Sequence, residues 1–297
     1  MGWGQFGQAI GSLLTKNNVT FSSVDIGLPL THKVDVLFQM VPTQFIREAF
    51  RTNSQFIVTD TIVINGAKGI EKHTHMLPYQ IIQEIGPYPN YLNLIGPSFA
   101  GGIMANDPTL VSLGYSLSRH VDDVKNLLQT PNFQIQPTVN YMILELAGAM
   151  KNVYAILAGY AEGMGFGANT RAKFITLALQ EVVKLGQAMG MTDIDVLAPG
   201  IVGDMILTCS SPESRNYQFG VHLSVMSQAN ALKQAKSTVE GFSTSHSVQA
   251  IAHKHKVDLP VASLTQQLIE EGVNGRHYLY EFVESLNFIL TKRQSRF

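Results

Sequence analysis

The sequence predicts an α/β fold, in which a doubly wound parallel sheet is followed by an all-helical domain. Over the first hundred or so residues, strand and helix signals alternate, which indicates a parallel sheet with helices between its strands. The run at Val34–Val41 is almost continuously apolar, as is typical of a parallel strand buried on both faces. From about Tyr141 onward, apolar residues at helical spacing replace the strand signals. We therefore expect two domains, residues 1–140 and 141–297.

Each predicted element has a local reason. Pro42 ends the apolar run at 34–41, because proline donates no hydrogen bond to a sheet. In the second half, Asn169 and Gly190 are typical of the start and end of a long helix. The predicted strands are Val19–Asp25, Val34–Val41, a region ending at Asn65-Gly66, and Leu92–Gly96; the predicted helices include Gln8–Thr15, 43–50 and Ala168–Gly190.

Composition excludes several classes of protein. Hydrophobic residues make up 45% of the 297 residues and charged residues only 14%, well below the roughly 25% usual in soluble domains, which suggests a large buried surface and is consistent with a homodimer. The net charge of −1 gives no electrostatic case for nucleic acid or an anionic membrane as a partner. The single Cys209 excludes an internal disulfide and suits a reducing compartment. The longest uncharged stretch, Ile85–Asn106, is interrupted by Gly and Pro, so we expect a cytoplasmic protein without a membrane helix.

The chain begins with a glycine-rich motif. Gly2, Gly4 and Gly7 have the spacing G-x-G-x-x-G and precede an apolar helix, as in the phosphate-binding turn of a Rossmann-like domain. Alone, the motif is weak evidence. A strand should precede it, and only Met1 does. We therefore expect the first strand to be missing, through a late start site or a truncated gene model. Stability and cofactor affinity should then be lower than in a longer relative, because neighbouring strands keep unpaired edges.

Two isolated charges in apolar surroundings are candidate catalytic groups. Lys151 is the only charged residue between Glu145 and Glu162. Burial should lower the pKa of its ammonium toward neutrality, so that it can exchange a proton near pH 7. Alone, it would more often be a lysine that extends from a packed helix to solvent. Asp204 also lies among apolar residues and needs a partner, for which Lys151 is the natural candidate.

Three further features are candidate binding groups. Ser214, Arg215 and Asn216 could hold a phosphate or carboxylate, although such a trio is often a helix cap with a solvated arginine. Lys68 follows a predicted strand and should lie at its carboxyl end, where ligands bind open α/β sheets. The Gly-Pro turn that contains Ser98 could direct a hydroxyl and backbone amides toward an anion.

Together these motifs resemble a known family. The order G-x-G-x-x-G, A-K-G-I-E, G-P-S-F-A, L-A-G-A-M-K-N, G-x-x-G-D-x-I-L-T-C and S-R-N resembles the bacterial type of NAD(P)-dependent glycerol-3-phosphate dehydrogenase. The similarity extends over essentially the whole chain and is densest between Ile64 and Gly241. It implies hydride transfer between NAD(P)H and dihydroxyacetone phosphate or sn-glycerol 3-phosphate, which supplies a precursor of glycerophospholipids.

The resemblance also implies residue roles. Lys151 would exchange the proton of the substrate hydroxyl, and Asp204 would position Lys151. The implied substrate-binding residues are Lys68, Gly96, Ser98, Asn152, Ser214, Arg215 and Asn216; the implied cofactor-binding residues are Gly2, Trp3, Gly4, Gln5, Phe6, Gly7, Lys68, Ala100, Arg215 and Glu240. The side chains of Trp3 and Phe6 are expected to pack around the edge of the cofactor.

Several points stay open in the sequence. Asp25 could bind a ribose hydroxyl, although it lies one or two positions beyond the expected strand end. No Arg or Lys occurs between Lys16 and Lys33, which mildly favours NAD over NADP. Gly101-Gly102 replaces the charged pair that usually follows G-P-S-F-A, which weakens the role of Ala100. His73-x-His75 and His253-x-His255 have no cluster of carboxylates or cysteines nearby, so no metal site is expected. The alternatives are a related dehydrogenase for another hydroxy acid or polyol phosphate, and an inactive cofactor-binding remnant.

Overall fold

Five strands form a single sheet. The computed structural model describes residues 1–25, 27–235 and 238–294. Its strands are β1 (Val36–Gln39), β2 (Ile62–Asn65), β3 (Tyr91–Ile95), β4 (Thr109–Tyr115) and β5 (Phe133–Thr138), and they lie side by side in chain order. The strands predicted at 34–41, before Gly66 and at 92–96 are thereby confirmed as β1, β2 and β3.

One pair of strands is antiparallel. β1, β2 and β3 run parallel, as do β4 and β5, but β3 and β4 run in opposite directions, with Leu94 opposite Leu113. The prediction of a wholly parallel sheet is wrong at this pair. The helix between them, α4 (Ala100–Met104), has five residues and spans only about 8 Å. The five residues of β3 span about 17 Å, so α4 cannot return the chain to the opposite end of the sheet.

Helices cover both faces of the sheet, as predicted. One core contains the apolar faces of α1 (Gln5–Lys16), α4 and α5 (Val121–Leu128). The other contains α2 (Ile46–Thr52) and α3 (Pro78–Ile85). Adjacent residues of β2 alternate between the two cores: Val63 belongs to the second and Ile64 to the first. The sheet is therefore doubly wound.

The remaining helices are α6 (Tyr141–Gly163), α7 (Ala168–Ala188), α8 (Asp204–Ser210), α9 (Arg215–Leu223), α10 (Gln228–Gln234), α11 (Glu240–Lys254), α12 (Pro260–Glu271) and α13 (Arg276–Gln294). The chain divides into unit 1, which is Met1–Ala149 with Val182–Leu207, and unit 2, which is Met150–Glu181 with Thr208–Phe297. Each of α6, α7 and α8 therefore contributes residues to both units. In the described part of unit 2, the regular elements are all helices, as expected of the second half. The domain boundary near 140 stays a prediction.

The segment Val19–Asp25 is not a strand, which corrects the prediction. A cavity of about 360 Å³ lies between residues 19–24, α1 and the open edge of β1; we call it the β1 groove. At its end, the Met1 α-amino group donates to Phe38 O, Met40 N–H donates to Met1 O (both 2.8 Å), and Gly2 N–H donates to Val24 O at 2.9 Å. Without a neighbour along the groove, residues 19–25 have no further ladder to complete.

Helix α6 is the most apolar element of the fold. Its length and composition alone would allow it to cross a membrane, but 94% of its most apolar 18-residue window is buried, as in the core helix of a soluble protein. Within unit 2 it lies against α9 and α11 at glycines. A Cβ added at Gly220 would lie 2.0 Å from Ile156 O, and one added at Gly241 would lie 2.3 Å from Asn152 O. These backbones touch almost directly.

Candidate active site

The glycine-rich start of α1 has the geometry of a dinucleotide-binding turn. Gly2 has a φ of +89°, and a Cβ added there would lie 2.6 Å from Val41 N. A Cβ at Gly7 would lie 2.2 Å from Gly2 O, whereas nothing lies within 4 Å of one at Gly4. The first and third glycines are thus required by the fold, and the second faces open space at the helix start. That division suits a pyrophosphate approaching the backbone at Gly4.

The aromatic residues of this turn pack against the protein. Trp3 and Phe21 have ring centroids 5.7 Å apart, and a Cβ added at Gly11 would lie 2.4 Å from Trp3 Cη2. Phe6 packs against the core beneath α1. Gln5 is exposed at the first position of α1. Both rings therefore help to hold the turn on α1.

A second group of predicted residues comes together in unit 1. Lys68 Nζ lies 2.9 Å from Asp204 Oδ2 and donates to Gly96 O at 3.2 Å, while Ser98 Oγ donates to the same carbonyl at 3.1 Å. The side chain of Asp204 is 2% exposed and that of Lys68 16%. This contact restricts the orientation of both side chains. Ala100 begins α4 nearby in the sequence and packs against the core under α1.

The sequence motif around Asp204 explains how it reaches this group. Residues Pro199–Gly203 form a turn of π-helix before α8. Gly200 N–H donates to Ser112 Oγ at 2.9 Å, and a Cβ added at Gly200 would lie 2.7 Å from Ile95 O. Only glycine allows this approach to the end of β3. The turn therefore delivers Asp204 to the carboxyl end of the sheet.

The loop of Lys68 is held on both sides. Asn65 Nδ2 donates to Ala67 O, and Ala67 N–H donates back to Asn65 Oδ1, both at 3.1 Å. After the lysine, Gln44 Nε2 donates to Ile70 O at 2.8 Å. Glu71, the last residue of A-K-G-I-E, accepts from Arg47 at 2.8 and 3.0 Å. The motif is thus a clamped loop that presents Lys68.

Lys151 lies in unit 2 and is buried, as predicted. Its residue is 6% exposed, and its Nζ donates to Thr208 Oγ1 at 2.9 Å. Cys209, the next residue, is buried, which agrees with its interpretation as a small core residue. Thr208 belongs to the motif G-x-x-G-D-x-I-L-T-C, but nothing in the sequence marks it as a contact of Lys151. The 2.9 Å contact between Lys68 and Asp204 was likewise not predicted.

Asn152 begins a network of side chains in unit 2. Asn152 Nδ2 donates to Glu240 Oε2 at 3.1 Å, and Asn216 Nδ2 donates to Asn152 Oδ1 at 3.0 Å. Asn216 Oδ1 in turn accepts from Gly241 N–H at 2.9 Å. The network links α6, α9 and α11. It brings together three residues that the sequence analysis selected, at the helix that carries Lys151.

The Ser-Arg-Asn motif forms the start of α9. Ser214 is its N-cap, with Oγ accepting from Tyr217 N–H at 3.3 Å, and Arg215 is its exposed first residue. The helix-cap alternative is therefore part of the structure. An exposed guanidinium at a helix start is still available to an anion. Among the described residues, no group of three or more His, Cys, Asp or Glu could hold a metal ion.

A glycine turn suited to a dinucleotide, together with a buried lysine and a clamped Lys68–Asp204 pair, defines an NAD(P)-dependent oxidoreductase. Family models described as the N-terminus and C-terminus of NAD-dependent glycerol-3-phosphate dehydrogenase match residues 29–120 and 141–279. The chain belongs to this glycerol-3-phosphate dehydrogenase family.

Individual relatives agree with this assignment. A glycerol-3-phosphate dehydrogenase [NAD(P)+] of Solidesulfovibrio magneticus is 35% identical over 82% of this chain and 74% of its own length. That of Desulfitobacterium hafniense is 32% identical over 82% of this chain and 70% of its own length. The crystal structure of the Coxiella burnetii glycerol-3-phosphate dehydrogenase is similar, with a TM-score of 0.85, 25% identity, and coverage of 95% of this chain and 97% of that one.

Proposed function

We propose that this chain reduces dihydroxyacetone phosphate to sn-glycerol 3-phosphate, and catalyses the reverse oxidation, with Lys151 as the proton-exchanging group. The observation that carries the proposal is the buried Lys151, whose Nζ is fixed at 2.9 Å from Thr208 Oγ1. NAD or NADP supplies and accepts the hydride when bound. The residues of the chain then have to bind the phosphate, orient the carbonyl and manage one proton.

Lys151 performs the proton step. As an ammonium it stabilises the alkoxide that develops at the substrate carbonyl oxygen and donates a proton to it. As an amine it accepts that proton in the oxidation. Thr208 Oγ1, as the acceptor at 2.9 Å, restrains the rotation of the lysine. We further propose that Asp204 orients Lys151, the role that the sequence motif implies.

Lys68 and its partners bind substrate. The 2.9 Å contact with Asp204 and the 3.2 Å hydrogen bond to Gly96 O leave one of its three ammonium protons for a substrate oxygen. Ser98 and Gly96 line the same position. Arg215 binds the phosphate through its planar fork of donors, and Ser214 contributes its hydroxyl proton.

The remaining roles concern the cofactor and positioning. We propose that the turn at Gly2, Trp3, Gly4, Gln5, Phe6 and Gly7 binds the pyrophosphate, with Ala100, Lys68, Arg215 and Glu240 as further cofactor contacts. Asn152 and Asn216 contact substrate. Asn216 also orients Asn152, because the two ends of the Asn216 amide are hydrogen-bonded to Asn152 and to Gly241.

At the level of the molecule, residues 1–140 would bind the cofactor and residues 141–297 the substrate. The two family models, which match 29–120 and 141–279, support this division. We further propose that the protein is a cytoplasmic homodimer. Its cellular role would be to supply glycerol 3-phosphate for phospholipid synthesis. Size-exclusion chromatography with light scattering tests the dimer.

Oxidation of NADH in the presence of dihydroxyacetone phosphate tests the activity. Lys151→Ala should lower kcat by about 10²- to 10⁴-fold, the contribution of a positioned general acid, while NADH binding followed by fluorescence changes little. Turnover that survives in Lys151→Ala would contradict the assigned role. Absence of turnover in the unmodified chain, despite NADH binding, would favour the inactive-remnant alternative.

A further inference from the structure

A buried carboxylate lies behind the Lys68 loop. Glu145, on the part of α6 that belongs to unit 1, is 1% exposed. Its carboxylate accepts hydrogen bonds from Tyr79 N–H at 2.9 Å, Asn65 Nδ2 at 3.2 Å, Asn93 Nδ2 at 3.3 Å, and the Tyr91 hydroxyl. None of these donors is a cation. Burial raises the pKa of Glu145 to about 7, although the four donors oppose the rise.

One of the donors is shared with the loop. The Asn65 amide that binds Glu145 also brackets the backbone of Ala67, through Nδ2 to Ala67 O and Oδ1 from Ala67 N–H. The same Oδ1 accepts from Gln39 Nε2 at 3.2 Å. Glu145 and the backbone of Ala67 therefore favour the same orientation of the Asn65 amide. If the amide rotated by 180°, all four of these contacts would oppose acceptor to acceptor or donor to donor.

Helix α6 also passes close to the side chain of Lys68. A Cβ added at Gly148 would lie 3.6 Å from Lys68 Cγ and 3.5 Å from Ile95 Cγ2. Glu145 and Gly148 are three residues apart, which places them on one face of the helix. This face thus lies near the loop at two points. Glu145 accepts from Asn65, which holds the backbone of Ala67, and Gly148 lies close to the stem of Lys68.

We propose that Glu145 is a positioning residue for Lys68 and acts through the Asn65 amide and the backbone of Ala67. The inference rests on the proposed role of Lys68 in substrate binding. Glu145 exchanges no proton with substrate in this scheme; it determines where the Lys68 ammonium lies. A carboxylate suits the task because it can accept all four hydrogen bonds at once, whereas an amide would point its own donors at one of these groups.

A double-mutant cycle tests the inference. Glu145→Gln, Lys68→Ala and the double variant are compared in kcat and in KM for dihydroxyacetone phosphate and NADH, after thermal unfolding shows that each is folded. We expect Glu145→Gln alone to lower kcat/KM about tenfold, a coupling typical of residues in one network. The loss should lie mainly in KM for dihydroxyacetone phosphate. In the Lys68→Ala background it should shrink to less than about twofold.

The control is a second buried carboxylate. Glu181, in unit 2, accepts from Tyr154 Oη at 2.8 Å, Val261 N–H at 2.6 Å and Ala262 N–H at 3.0 Å. Glu181→Gln makes the same chemical change and should lower thermal stability without any effect that depends on Lys68. If Glu145→Gln fails to fold, Asn65→Ala enters the same cycle in its place, with the same expected loss.

The outcomes are separable. Equal losses from Glu145→Gln with and without Lys68 would overturn the positioning role, since a merely structural effect is additive. A Lys68→Ala variant with unchanged kcat/KM would instead overturn the proposed role of Lys68, and with it the premise of this inference. A coupled loss in KM, absent from Glu181→Gln, supports it.

Discussion

At the scale of single residues, the three glycines of the first turn are needed for different physical reasons. Gly2 and Gly7 are constrained by the protein itself, since a Cβ at either would meet backbone atoms at 2.6 and 2.2 Å. Gly4 meets nothing within 4 Å. A methyl group at Gly4 therefore tests ligand approach, while one at Gly7 tests the fold. The motif alone does not distinguish these duties.

Gly4→Ala should weaken NADH binding about ten- to a hundredfold, because the added methyl occupies the space through which the pyrophosphate reaches the backbone. Its thermal stability should fall by no more than about 1 kcal/mol, the cost of alanine at an N-cap. Gly7→Ala is the matched variant, and overpacking should cost it about 3 kcal/mol or more. Fluorescence titration with NADH and thermal unfolding measure the two effects. Equal destabilisation by both would contradict the division of duties.

Prediction of single residues from the sequence succeeded where a charged residue stands among apolar neighbours. Lys151 stands alone in an apolar helix, and burial is the simplest consequence. The pairing of Lys68 with Asp204 was not predictable, because 136 residues separate them. It depends on the π-turn at Pro199–Gly203 and its contact with Ser112. The hydrogen bonds of Glu145 were not predictable either, because its donors come from two strands and the start of α3.

At the scale of elements, the position of Lys151 depends on close contacts between helices. In unit 2, α6 meets α9 at Gly159 and Gly220, where added Cβ atoms would lie 1.9 Å from Tyr217 O and 2.0 Å from Ile156 O. It meets α11 at Gly241. Because the backbones lie this close, the helices cannot slide past one another. The hydrogen bond between Asn216 and Asn152 therefore keeps its length of 3.0 Å.

Gly220→Ala should therefore separate α6 from α9. We expect a loss of about 3 kcal/mol in the free energy of unfolding, at the upper end of overpacking costs, and a lower kcat because Asn216 moves away from Asn152. The control is Gly101→Ala, in a helical position with nothing within 4 Å of the added Cβ; its stability should stay equal or rise by up to about 1 kcal/mol. Urea denaturation measures both. An unchanged midpoint for Gly220→Ala would show that the helices can adjust.

Element prediction worked where hydrophobic periodicity was local. The apolar run at 34–41 gave β1, and LNLIG gave β3. The strands β4 and β5 were not predicted. In β5 the apolar residues alternate with the exposed Gln134 and Gln136, so it lacks the continuous apolar run that identified β1. Val19–Asp25 had the composition of a strand, but in the described part of the chain no strand lies beside it along the β1 groove. Strand formation there depends on a neighbour and not on the segment itself.

At the scale of the whole molecule, the described part of unit 1 has an open sheet edge at β1. The two hydrogen bonds of Met1 with Phe38 and Met40 are those of a residue in a parallel strand, and the β1 groove extends from that point along residues 33–38. Met1 holds a charged group there at a cost. Burial lowers the pKa of its α-amino group from 8.0 to about 6, with partial compensation from Asp25.

An engineered segment of about five apolar, extended residues ahead of Met1 should raise the stability of this chain. A peptide N–H can donate to Phe38 O without burying a charge, and the added strand can pair with β1 and cover Val36 and Phe38. The folded state disfavours the protonated α-amine. The charged amine therefore lowers the free energy of unfolding by its full amount below pH 6, and this loss disappears as the pH rises to 8. The gain from removing the charge should therefore be about 2–3 kcal/mol below pH 6 and close to zero above pH 8.

A Gly-Ser segment of equal length separates the two contributions, because it also replaces the amine by a peptide N–H but cannot fill an apolar groove. Thermal unfolding of the three chains between pH 5 and pH 9 should show the pH-dependent gain in both extended forms. Only the apolar segment should add a further gain that persists above pH 8, together with tighter NADH binding, since a paired strand restrains the glycine turn that follows it. If the Gly-Ser and apolar extensions behaved alike at pH 9, the groove would not be a strand position, and the irregular course of residues 19–25 would need another cause.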